Sequence, residues 1–209
     1  MYKIRNYRRC SIVIALFWIF LVLYPRPMAL GESIYRLLNP PVNAQTAETF
    51  IPLLADPNDP EAIEIFVLEN IPYSYDWQAY DLPWYFPTVE EALKNEKGDC
   101  KTRFIVLASL FEALLIPYEL YISPTHIWIN YEGKMDNKIE NFDSAVFYYD
   151  HIGEPVLKIP QIDWKGSLDI FWDAFWVHMP AARKNALLSG LAFSAFLFFY
   201  KNKRLSCYR

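Results

Sequence analysis

Cys100 is the residue in this chain best placed for covalent chemistry. It closes Gly98-Asp99-Cys100 and precedes residues 101–116, where apolar side chains at 104, 105, 107, 108, 111, 114 and 115 follow helical spacing up to Pro117. A thiol at the first turn of a helix meets unpaired backbone N–H groups and the positive end of the helix dipole. Both favour the thiolate, which is the nucleophilic form. The bland alternative is a small buried hydrophobe, the usual role of a solitary cysteine. An imidazole is the common base for a cysteine nucleophile, and His126 stands 26 residues on, at the start of a strand-like run. Such a pair needs a third group to hold the ring in one tautomer. Glu140 and Asp143 are the candidates, and on a regular strand their spacing of three would point them to opposite faces.

Other site chemistries find little support. The chain has three cysteines, Cys10, Cys100 and Cys207, so its middle holds one thiol and no intrachain disulfide can form there. Three scattered histidines, His126, His151 and His178, do not have the spacing of a zinc site. Six glycines form no phosphate-cradling loop, and thiol chemistry needs no cofactor.

The elements that must position these groups are legible in outline. Residues 25–58 are rich in Pro, Asn and Asp, which suits a linker with at most short helical pieces. Asp59-Pro60 reads as an N-cap followed by proline at the first helical position, opening a helix to about Glu69. Residues 71–87 hold seven aromatics and three prolines without a period, an ordered loop that serves as a lid over the core or as a groove wall. Thr88 and Glu91 have capping-box spacing for a short helix to Asn95. Residues 118–123, 126–132 and 138–143 alternate as strands, with a turn at 133–137, so the third would pair with the His126 strand. Helices first and an antiparallel sheet afterwards is an α+β order. Residues 163–180 carry Trp164, Trp172 and Trp176 in a helical pattern that suits either a membrane interface or packing on the domain.

The run from Thr88-Val-Glu-Glu-Ala-Leu-Lys through Lys97-Gly-Asp-Cys-Lys-Thr-Arg and residues 107–120 to His126-Ile-Trp-Ile resembles the core of the transglutaminase-like superfamily, whose active-site arrangement is papain-like. The resemblance covers about residues 60–143. It implies Cys100 as nucleophile, His126 as general base and acid, and a carboxylate on the following strand. Glu140, after Ile139, matches that position best, although the family usually has Asp there and Asp143 lies nearby. The family's upstream aromatic is matched loosely by Trp84, whose indole N–H would help hold an oxyanion or else simply pack.

Composition adds a topology. Of 209 residues 54% are hydrophobic and the formal net charge is −4, which argues against disorder and against nucleic-acid binding. Residues 1–10 and 201–209 each carry four basic residues and no acid, so the stretch between them holds −12. Each basic tail adjoins an uncharged apolar run, residues 10–24 and 185–200. At about 1.5 Å per residue these reach only about 22–24 Å against a hydrocarbon core of about 30 Å, so flanking residues must help them span. The positive-inside bias sets both tails in the cytoplasm and the acidic middle outside. The expected organisation is a basic tail (1–9), a transmembrane anchor or signal peptide (10–24), a linker (25–58), the transglutaminase-like domain (59–162), an aromatic juxtamembrane segment (163–184), a transmembrane helix (185–200) and a second basic tail (201–209).

The leading expectation is thiol-dependent acyl transfer or hydrolysis at amide bonds of a protein or peptide substrate, with membrane lipid as the other partner. Passing the acyl group to an amine, a non-catalytic peptide-binding module and a purely structural membrane protein are the alternatives. The last gives no reason for a helix-start cysteine to coincide with a strand histidine.

Overall fold

A computed structural model describes residues 2–135, 139–140, 142–149, 155–160 and 163–206. Cys207 and His151 lie outside them. The chain is α+β and divides into two units, residues 32–178 and a second made of residues 1–31 with 179–209.

The larger unit is organised around α7 (Cys100–Leu114), whose Phe104, Ile105, Ala108, Leu110 and Phe111 are all almost fully buried. It is apolar on every side because α3 (Ala44–Ala47), α4 (Pro60–Asn70), α6 (Val89–Asn95) and the sheet all pack on it. Its interior polar groups are matched: Tyr80 Oη and Thr102 Oγ1 lie 3.0 Å apart, and Ser109 Oγ donates to Ile105 O while accepting from Asn43 N. Leu115 ends the helix in the left-handed region (φ 58°), two residues before Pro117.

Local signals set the other helix ends. Asp59 caps α4 by accepting from Glu61 N, with Pro60 at the first position, and Ile63 and Val67 turn inward. At α6 the Thr88 side chain accepts from Glu91 N while the Glu91 carboxylate accepts from Thr88 N, the reciprocal box that satisfies two otherwise orphaned donors.

The sheet is antiparallel, in the order β2 (Ile127–Asn130), β1 (Glu119–Ile122), β3 (Phe147–Tyr149), β4 (Pro155–Leu157), with Tyr121 opposite both Trp128 and Tyr148. This corrects the expectation of a strand over 138–143. Residues 136–138 and 141 lie outside the described residues, while 139–140 form a bend and Phe142–Ser144 a 3₁₀ turn. The strand that follows the hairpin is β3, and it pairs with β1 rather than with the His126 strand.

The stretch read as a linker is also corrected from Glu32 onward. In α2 (Met28–Leu38), Ser33 is fully buried and accepts from Phe86 N. Arg36 donates to Tyr85 Oη, Phe86 O and Glu91 Oε2 at 2.9–3.0 Å. Proline and asparagine content reports loop geometry, and loops also pack. The aromatic loop contains a one-turn helix, α5 (Asp76–Ala79), and buries Trp77, Leu82, Tyr85 and Phe86. The tryptophan-rich segment divides in two. Trp164, Leu168, Phe171 and Trp172 of α8 (Trp164–Trp172) stand mostly exposed. The π-helical turn Asp173–Val177 instead docks on the loop through Trp77 Nε1 to Phe175 O and Tyr75 Oη to Asp173 Oδ2.

The smaller unit pairs α1 (Tyr2–Leu23) with α9 (Ala181–Ser206). Trp18 Nε1 donates to Ala186 O and Arg183 donates to Val22 O, so the two helices run antiparallel. Gly190 is required at their crossing, since a Cβ there would lie 1.9 Å from Trp18 Nε1. Among the described residues no single helix is long and apolar enough to cross a membrane. One broken pair, Cys10–Leu23 with Met28–Leu38, meets that requirement together. The expectation of two separate spans is therefore not supported, the apolar runs being short of bilayer thickness.

Candidate active site

Each residue of Gly98-Asp99-Cys100 has its own physical task. Gly98 exchanges backbone hydrogen bonds with the aromatic loop, its N–H donating to Pro72 O and its carbonyl accepting from Ser74 N. A Cβ on Gly98 would lie 2.4 Å from Thr102 Cβ, so glycine alone allows the loop and α7 to approach this closely. Asp99 caps α7 by accepting from Lys101 N, and Cys100 is the first helical residue, half-buried. Lys101 turns inward, where its ammonium pairs with Asp99 Oδ2 and with Asp76 Oδ2 at 2.9 Å. Burial, reinforced by the charge of Asp99, pushes the Asp76 carboxyl up to about 7, with Lys101 opposing. Asp76 in turn accepts from Tyr85 N, tying the aromatic loop to the start of α7.

His126 precedes β2 and is held by a tight turn in which its N–H donates to Ser123 Oγ and its carbonyl accepts from Ser123 N. Its ring stacks on Trp128 at 5.7 Å, and Trp128 stacks on Tyr121. Cys100, His126 and Glu140 line one cavity of about 90 Å³, together with Tyr73, Arg103 and Lys134. The imidazole is hydrogen-bonded to Glu140, and Cys100 shares the cavity with it. The Glu140 bond joins Nε2 to Oε1 at 3.1 Å. Burial disfavours the imidazolium, but interactions with Cys100 and Glu140 outweigh it and push the His126 pKa up to about 9.

Glu140 is in turn held by Lys134, whose Nζ lies 3.0 Å from Oε2. The same ammonium reaches Glu64 Oε1 at 2.9 Å and donates to Ile129 O, while Tyr131 Oη donates to Glu64 Oε2 at 2.6 Å. Burial would raise the Glu140 carboxyl, yet His126 and Lys134 hold it down at about 2, so it is ionised across the physiological range. Without a strand beneath it, Glu140 is fixed by this chain of charge-assisted hydrogen bonds from α4 through the hairpin turn.

Of the two carboxylates left open by the spacing, Glu140 meets the histidine. Asp143 lies 3.3 Å from Lys158 Nζ with its side chain 68% exposed. Trp84 does not line the cavity; its ring lies 6.0 Å from Lys101 Nζ, and the aromatics that do line the cavity are Tyr73, Phe104 and Trp128. His178 stacks on Tyr75 and faces Asp173 at 3.5 Å. Sequence reasoning did not single out Glu64, Tyr73, Arg103 or Lys134. Glu64 is separated from Lys134 by 70 residues, and no local pattern marks such a pair. Among the described residues no group of three or more His, Cys, Asp or Glu side chains could hold a metal ion.

No family model, curated protein or solved structure matches the chain.

Proposed function

We propose that Cys100, His126 and Glu140 form the catalytic triad of a transglutaminase-like, papain-type thiol hydrolase acting on amide bonds of a protein or peptide. The observation that carries this reading is a helix-start thiol lining one cavity with a histidine whose ring is hydrogen-bonded to an ionised carboxylate. His126 takes the thiol proton, giving a thiolate–imidazolium pair, and the Cys100 sulfur attacks the amide carbonyl. The Cys100 backbone N–H, unpaired at the first turn of α7, is a donor available to the resulting oxyanion. Collapse breaks the C–N bond as the imidazolium gives its proton to the leaving amine, leaving a thioester on Cys100. Water, deprotonated by His126, then releases the acid and restores the thiol. Glu140 keeps the ring oriented and stabilises its charged form throughout.

The test is alkylation of Cys100 by iodoacetamide near pH 7, read on the Cys100 peptide by mass spectrometry. An activated pair reacts about tenfold or more faster than a free thiol, and His126→Ala removes that advantage. Equal rates in the wild type and His126→Ala overturn the reading.

The α1–α9 pair is assigned to a lipid environment. Its helices meet at Gly190, while Val13, Leu16, Phe17, Phe193 and Phe196 remain exposed on the outside. Apolar outer faces around a small-residue contact suit a bilayer better than water.

A further inference from the structure

Arg103 follows Cys100 by three positions on α7, so the two share a face, and Arg103 lines the same cavity. Its Nε donates to Ile71 O at 2.9 Å, and its guanidinium lies 5.5 Å from the Tyr73 ring centre. These contacts lay the side chain along the cavity wall, and among the described residues its terminal nitrogens donate no hydrogen bond.

The cavity's other cations are matched by carboxylates: His126 by Glu140, and Lys134 by both Glu140 and Glu64. Among the described residues no carboxylate oxygen comes within 4 Å of the Arg103 guanidinium. Electrostatic interactions with Tyr73, Cys100 and Asp99 offset its burial only in part. Burial lowers the Arg103 pKa, the mark of a charge partly stripped of water without full compensation. A guanidinium fork matches a carboxylate in a bidentate geometry, and such a partner would restore what desolvation removes.

We propose that Arg103 is a specificity residue that binds a carboxylate of the acyl-donor substrate beside the scissile amide. The assignment rests on Cys100 being the nucleophile. The carboxylate is either the C-terminus of a peptide or the side chain of an acidic residue close to the cleaved bond.

Two reagents of the same reactivity class separate charge recognition from nucleophilicity. Iodoacetate and iodoacetamide both transfer a methylene carbon to sulfur with loss of iodide, and one of them carries a carboxylate. In the full chain, with modification read on the Cys100 peptide, the iodoacetate-to-iodoacetamide rate ratio is expected to fall about tenfold in Arg103→Leu. Arg103→Lys, which keeps the charge, recovers most of the ratio, and the ratio itself cancels any change in the thiol's own reactivity. A ratio equal in wild type and Arg103→Leu, with iodoacetamide still fast, overturns the carboxylate site and leaves the nucleophile reading standing. Slow reaction of the wild-type thiol with both reagents overturns the nucleophile reading and the specificity role with it. The source is separated by protecting Cys100 with three short peptides: one with a free C-terminus and no acidic side chain, one C-terminally amidated with a single Glu, and one neutral. Protection by a charged peptide and not by the neutral one supports the site and names its source; equal protection by the neutral peptide overturns it.

Discussion

His126 and Lys134 together set the state of Glu140, and Lys134 lies outside the proposed triad. Removing it as Lys134→Met takes away the cation that offsets burial, so the Glu140 carboxyl should titrate higher, moving from about 2 toward the ordinary 4.5 by about one pH unit. Carbon NMR of the glutamate carboxyls measures this directly, and an unmoved Glu140 resonance would show that the lysine is a bystander. A pH window follows from the directions. Glu140 is depressed in the fold, so its contribution to stability is present above about 4.5 and is lost as the pH falls through about 2. His126 is raised, so its contribution is complete below about 6.5 and disappears as the pH rises through about 9. The ion pair thus stabilises the fold most between these limits, and Lys134→Met should narrow the window from the acid side.

At the scale of elements, the start of α7 explains why three consecutive residues carry so much information. Gly98 lets the aromatic loop approach, Asp99 caps the helix and Cys100 occupies its first turn. Gly98→Ala forces backbone apart from Thr102 and should cost about 1–3 kcal/mol, seen as a lower melting temperature together with slower Cys100 alkylation. A variant with wild-type stability would mean that the close approach is dispensable. These helix ends were readable because capping is local: Thr88 and Glu91, or Asp59 and Pro60, satisfy donors within a few residues of themselves. The strand expected over 138–143 failed for the converse reason. Strand identity depends on a partner, and β1 takes β3 on its free edge instead.

For the whole molecule, the paired end helices and the charge segregation make one prediction. The full chain should remain with the membrane fraction through an alkaline carbonate wash, because the outward faces of α1 and α9 carry apolar side chains with no protein covering among the described residues. Recovery in the supernatant would sink the lipid assignment and leave the thiol chemistry untouched.

From sequence alone the α+β order, the helix caps, the Cys100 helix start and the candidacy of His126 could be derived, since each depends on neighbours within a turn or on a hydrophobic period. The family resemblance already favoured Glu140 over Asp143; seating Glu140 against His126, lining the cavity without Trp84, and bringing in Lys134, Glu64, Tyr73 and Arg103 required tertiary structure. Those outcomes depend on which side chains meet across 14 to 70 residues of chain, and the electrostatics of a buried pair exists only after the fold has removed the water between them.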